Sequence, residues 1–219
     1  MATDWLFFHG WALGPRYFKD LISRLPAGQR TWTYDRGYFG APSGPVPPVE
    51  SPVLVAHSFG LHLIPPVLLA RSQALVVLAG FLEFHPLEAR TRQVSQRGLQ
   101  RMMKGLDQDL PATLAGFYDL AASPRKNAWG QPAAGHKQRL RQDLSALDRA
   151  QLAPDSLKEA PRALVLAGQA DQVVGPAQAQ ALAQALPQAE LITFDGRGHD
   201  LGFDDNDRLW QVISQWMPL

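Results

Sequence analysis

The residues best placed to do chemistry are a serine, an aspartate and a histidine, in that chain order. Ser58 lies in Ala56-His57-Ser58-Phe59-Gly60, between an apolar run, Val53–Ala56, and a segment of helical spacing. Small residues two positions either side of a serine suit a tight strand-to-helix turn, from which the hydroxyl projects above a sheet. Here Ala56 stands where a glycine is usual. A serine hydroxyl is a weak nucleophile at neutral pH and needs a base, itself oriented by a carboxylate. Asp171, in Gly168-Gln169-Ala170-Asp171, follows the apolar run Arg162–Ala167. His199, in Gly196-Arg197-Gly198-His199, follows Glu190–Phe194. Both positions are those at which a parallel sheet presents ligand-binding groups, just beyond the carboxyl ends of strands. The chemistry this implies is acyl transfer through a covalent serine intermediate.

The elements that must position these groups can be read from the apolar pattern. Trp5–Phe8, Thr31–Tyr34, Val53–Ala56, Ala74–Leu78, Arg162–Ala167 and Glu190–Phe194 are short apolar or β-branched runs, predicted as strands. Helical spacing occurs at Tyr17–Leu25, Leu61–Arg71, Pro176–Leu186 and Asp207–Trp216, with Pro65-Pro66 expected to kink the second of these. Strands that alternate with helices and are apolar on both faces predict a mostly parallel sheet of about six strands covered by helices. Gly37–Pro52, rich in Gly and Pro, is expected to be an extended connection. Residues 81–160 show no convincing strand. They show helical patterns at Ala89–Leu106, Pro111–Leu120 and His136–Leu147. The expected organisation is therefore a core of residues 1–80 and 161–219, with a helical lid inserted at 81–160.

Composition narrows the function. In 219 residues, 46% are hydrophobic and 19% charged, and Lys+Arg 21 against Asp+Glu 20 leaves a net charge of +1. That balance gives no basic footprint for nucleic acid. Cysteine is absent, which excludes disulfides, zinc–thiolate sites, iron–sulfur clusters and a cysteine nucleophile. No apolar run reaches the roughly 18 residues of a membrane span. Met1–Leu13 is apolar but short and has no basic start, so it reads as a buried strand rather than a signal peptide. A cytoplasmic protein is expected.

Taken together, these motifs resemble the α/β-hydrolase superfamily over nearly the whole chain. The narrower similarity is to the pimeloyl-[acyl-carrier-protein] methyl ester carboxylesterases of biotin synthesis. It is carried by His9-Gly10-Trp11-Ala12-Leu13, by Leu110-Pro111-x-x-Leu114-x-x-Phe117 followed by a basic helix, and by Gly168-x-x-Asp171-x-x-Val174 with the late Gly198-His199. The chain departs from that pattern by lacking the first hairpin. The resemblance implies the α/β-hydrolase fold, no cofactor, and a catalytic triad of Ser58, Asp171 and His199. It also implies an oxyanion hole formed by the backbone N–H groups of Trp11 and Phe59. An acyl channel is expected from Trp11, Phe81, Phe84, Met102, Met103 and Phe117. The Trp11 side chain reads equally well as a core residue. The alternatives are a small-ester carboxylesterase or thioesterase, a lyase of menaquinone synthesis using the same triad, and a non-catalytic binding protein of the same fold.

Charge is uneven along the chain. Between Glu83 and Arg149, eleven Lys/Arg face seven Asp/Glu, an excess of four, while the remainder has an excess of three negative charges. A basic lid beside the site would attract an acidic partner, and the resemblance names acyl carrier protein. Arg125, Lys126, Lys137, Arg139 and Arg141 are the expected docking cations; a solvated helical surface explains the same count. Asp35 is a rival to Asp171, though a turn or ion-pair role fits its position better. His57, His62 and His85 read as packing or hydrogen-bonding histidines. Asp200, Asp204, Asp205 and Asp207 read as helix-start charge rather than a metal site.

Overall fold

The computed structural model describes residues 3–130, 135–202 and 206–217. Six parallel strands form one sheet in the order β2-β1-β3-β4-β5-β6: β1 (Asp4–Phe8), β2 (Arg30–Tyr34), β3 (Val53–His57), β4 (Ala74–Leu78), β5 (Ala163–Gly168) and β6 (Ala189–Phe194). The four central strands are buried along their whole length. The edge strands β2 and β6 are only partly covered. This is why the central four read as unbroken apolar runs.

Side chains alternate across the sheet and divide the core into two layers. Trp5, Phe7, Val55, Val76 and Leu166 face one layer, packed with α1 (Lys19–Ser23), α8 (Asn206–Trp216) and the long helices between β4 and β5. Phe8, Leu54, Leu75, Val77 and Val165 face the other, with α2 (Pro66–Arg71) and α7 (Pro176–Ala185).

The expected Leu61–Arg71 helix is broken rather than kinked. A 3-10 turn spans Ser58–Leu63, Pro65 is extended (φ −60°, ψ 136°), and α2 begins at Pro66. Pro65 disfavours helical backbone at Ile64, and Pro66 is tolerated only as a first helical residue. The stretch from Asp35 to Pro52 has neither helix nor strand among its residues.

Between β4 and β5 lie α3 (Ala89–Gln108), α4 (Leu110–Ala122), α5 (Lys137–Leu147) and the short α6 (Pro154–Leu157). Glu88 caps α3 by accepting from the N–H groups of Arg90 and Thr91, and Asp109 caps α4 through Ala112. This segment is tied to the sheet by polar contacts. Arg36, just past β2, forks onto buried Asp143 of α5 (2.7 and 2.5 Å), and the Tyr38 hydroxyl donates to the same carboxylate (2.7 Å). The Asp143 hydrogen bonds hold the Arg36 guanidinium well above its usual range. Trp11 Nε1–H donates to the Leu140 carbonyl and the Tyr118 hydroxyl to that of Ala12. No helix among the described residues is long and apolar enough to cross a membrane.

Candidate active site

Ser58 sits on the turn where β3 ends. Its backbone is left-handed (φ 52°), a conformation that costs a non-glycine residue roughly 1–2 kcal/mol. The turn is pressed against the end of β1. A Cβ on Gly60 would stand 2.1 Å from the Phe8 carbonyl oxygen, so only glycine fits there. A Cβ on Gly10 would stand 3.1 Å from the Ser58 Cβ, which places the loop after β1 directly on the serine. Ala56, in the place where glycine is usual, pairs with Phe8 and Val77 inside the sheet. It is fully buried in the second core layer.

The loops after β5 and β6 bring Asp171 and His199 to this serine. His199 Nε2 lies 2.9 Å from Ser58 Oγ, and His199 Nδ1 lies 2.8 Å from Asp171 Oδ2. The other Asp171 oxygen accepts the N–H groups of Val173 and Val174, both at 2.8 Å. A carboxylate only accepts, so the proton of a neutral His199 rests on Nδ1 and Nε2 accepts the serine hydroxyl. All three residues are buried. Such a set can generate a serine nucleophile and return its proton to a leaving group.

Asp35 is engaged elsewhere. It takes the Gly37 N–H at 2.7 Å and lies 3.5 Å from His9. Burial pushes its pKa up, but the hydrogen bonds from His9 and the Gly37 amide outweigh this and hold it below the usual value.

A cavity of about 600 Å³ opens onto Ser58 and His199, walled by Trp11, Phe84, Met102 and Phe117 of the expected channel. Trp11 is both wall and anchor: it meets Phe117 edge to face at 5.0 Å while holding Leu140. Phe81 and Met103 are not in the wall. Phe81 is fully buried behind it, between His62 (4.5 Å) and Phe84 (5.4 Å). Met103 follows Met102 on α3, so the two point about 100° apart, and Met103 packs into the core. The α3 residues Arg90, Thr91, Val94 and Ser95, which the sequence did not single out, do line the cavity. Their signal is helical spacing continuous with Met102.

His57 packs at a tilt against Tyr17 (4.3 Å) and His62 donates to the Phe81 carbonyl (3.1 Å). Burial, then the neighbouring His199, pushes His57 well below the ordinary imidazole range. Burial lowers His62 to about 4 against that hydrogen bond. Of the expected docking cations, Lys137 and Arg141 bond to Asp107, and Arg139 to the Gly37 carbonyl. Arg125 and Lys126 are exposed. Asp207 pairs with Arg24 and Asp200 accepts from Trp129; Asp204 and Asp205 lie outside the described residues. Among the described residues, no group of three His, Asp or Glu side chains could hold a metal ion.

A family model described as TAP-like protein matches residues 135–217. No curated protein matches the chain. Among solved structures, the chain is similar to an esterase from Exiguobacterium antarcticum. The two are 18% identical with a TM-score of 0.82, over 98% of this chain and 91% of that one. A bromoperoxidase from Bacillus anthracis is 16% identical with a TM-score of 0.78, over 99% and 91%. MenH from S. aureus is 15% identical with a TM-score of 0.70, over 98% and 93%. With the six-stranded parallel sheet, these likenesses establish the α/β-hydrolase fold.

Proposed function

We propose that the protein is a serine hydrolase of carboxylic esters. The observation that carries this reading is the unbroken hydrogen-bonded line from Ser58 through His199 to Asp171, opening onto an apolar cavity. The esterase among the similar structures adds to it. In this reading Ser58 Oγ attacks the ester carbonyl carbon and His199 Nε2 takes its proton. The carbonyl oxygen becomes an anion held by the amides of Trp11 and Phe59. The close fit of Gly10 on Ser58 supports that pairing. Collapse breaks the carbon–oxygen bond, and His199 protonates the departing alkoxide. Water then attacks the acyl-enzyme, giving its proton to His199, and Ser58 is released with the acid. Asp171 holds the His199 tautomer throughout.

The narrower reading is a methyl ester of a pimeloyl chain on acyl carrier protein. The cation excess of the α3–α5 segment supports it, as does a row of exposed cations, Arg90, Arg97, Arg101 and Lys104, along α3. Arg90 and Arg101 reach the cavity wall, and no carboxylate among the described residues pairs with the row. The internal contacts of Lys137, Arg139 and Arg141 favour instead a small free ester. Hydrolysis of a carrier-bound pimeloyl methyl ester and of its free methyl ester, with increasing salt, separates the two. Carrier docking gives a kcat/KM that favours the carrier-bound ester and falls with salt, because exposed charges are screened over about 8 Å at physiological ionic strength. Equal, salt-independent values leave the small-ester reading.

A further inference from the structure

The α3 side of the cavity, beside its apolar residues, holds polar groups that the ester reaction leaves unused. Ser95 of α3 lines the cavity, and its Oγ lies 2.8 Å from His85 Nδ1. His85 Nε2 lies 3.0 Å from Asp148 Oδ1, and the His85 side chain is 2% exposed. The residue types repeat those of the main site, but Ser95 is not a second nucleophile. It lies in the middle of α3, where backbone N–H groups are bonded within the helix, so no amide beside it is free to hold an oxyanion.

What the arrangement fixes is the direction of a proton. The Asp148 carboxylate accepts from Nε2–H, which leaves Nδ1 of the neutral ring as an acceptor. In that neutral form the Ser95 hydroxyl donates to Nδ1, and its lone pairs are left to accept. Thr91, one turn earlier on the same wall, is set the same way: its hydroxyl donates to the Glu88 carbonyl at 3.0 Å. Gln178 spends its amide N–H groups on the carbonyls of Glu83 and Phe84. Arg90, Arg101 and Gln172 also line the cavity and carry donors; all three are solvent-exposed, as is Thr91, while Ser95 is half-buried.

We propose that Ser95 and Thr91 form an acceptor subsite that reads a hydroxyl or amide N–H on the substrate's chain. The inference rests on the ester-hydrolase reading for the reaction at Ser58 and names the class of ester preferred: one bearing a hydrogen-bond donor away from the reacting carbonyl. A plain alkyl chain offers no donor to the lone pairs of the two oxygens. An ether, which only accepts, gains nothing from the two oxygens.

Binding tests this without turnover. Straight-chain ethyl ketones carry a CH2 in place of the ester oxygen of a methyl ester, so they match it in shape but are not hydrolysed. A series with a hydroxyl walked along the chain, its O-methyl ethers and the unsubstituted ketones are titrated into the protein by calorimetry. One hydroxyl position is expected to bind roughly 3- to 10-fold tighter than the unsubstituted ketone, the range of one net hydrogen bond, and its O-methyl ether no tighter than the unsubstituted ketone. Ser95→Ala is expected to erase that preference, so that the hydroxyl-bearing and unsubstituted ketones bind alike. Thr91→Val, which keeps the shape, is expected to reduce it. A wild-type protein that binds hydroxyl and ether alike, or shows no preference at any position, overturns the subsite. So does a preference that survives both substitutions. Hydrolysis of the matching esters, measured alongside, reports separately on the reaction at Ser58.

Discussion

His57 and His199 are joined through the main chain: His57 Nε2–H donates to the His199 backbone carbonyl at 3.2 Å. The residue before the serine thus holds the backbone of the residue that faces it. A carbonyl only accepts, so His57 carries a proton on Nε2, and burial disfavours a second on Nδ1. Its ring is packed between Tyr17 and His199 (centroids 4.3 and 5.0 Å).

This burial has a consequence in acid. His57 and His62 both have folded-state pKa values below the ordinary 6.5, His62 at about 4. Below 6.5 the unfolded chain binds protons at these sites and the folded chain does not. Their contribution is therefore full above pH 6.5 and is lost as pH falls. For His62 the loss runs from 6.5 to about 4, at a slope that approaches about 1.4 kcal/mol per pH unit. Urea unfolding at pH 7.5, 6 and 5 checks this. His62→Gln is expected to flatten the decline between pH 6 and 5; a variant with the wild-type slope contradicts it.

The left-handed backbone of Ser58 predicts a trade between stability and chemistry. Ser58→Ala and Ser58→Gly both remove the hydroxyl and its bond to His199, but only glycine releases the backbone strain. Ser58→Gly is expected to be more stable than Ser58→Ala by about 1 kcal/mol. Thermal unfolding of the two variants side by side gives the difference, and an alanine variant as stable as the glycine variant removes the argument for strain.

The two candidate acids separate by their contacts. Asp171→Asn is expected to present the wrong His199 tautomer and to lower kcat roughly 10⁴-fold, as in serine proteases. Asp35→Asn loses its contact with His9 and is expected to change kcat less than about 10-fold, acting through stability. Ester turnover with both variants ranks them, and the reverse ranking reassigns the acid.

How much could be read beforehand follows from where the physics is local. The central strands were legible because burial on both faces leaves unbroken apolar runs such as Val53–Ala56 and Ala74–Leu78. Ser58, Asp171 and His199 were legible because each follows a strand in a fixed order. Phe81 and Met103 were misplaced because hydrophobicity alone does not say whether a side chain lines a cavity or backs it; one residue along α3 turns a side chain through 100°. The break at Pro65–Pro66 was visible as proline chemistry, but only the structure shows a 3-10 turn and a separate α2. Ser95, His85 and Asp148 could not be grouped: they come from a helix, a loop and a helix end up to 63 residues apart, and nothing in their spacing marks them. The cations of α5 read as free charge because their acceptors, Asp107 and the Gly37 carbonyl, are set by tertiary packing.

The central claim is that Ser58 is a nucleophile activated by His199 and Asp171. A fluorophosphonate reacts with an activated serine and leaves a covalent phosphonyl group on its oxygen. Intact-mass and peptide-mapping spectrometry after such treatment tests the claim most directly. The account predicts one adduct, on the peptide carrying Ser58, absent in Ser58→Ala and strongly slowed in His199→Ala. A folded wild-type protein that stays unlabelled, or labels at another residue, contradicts it.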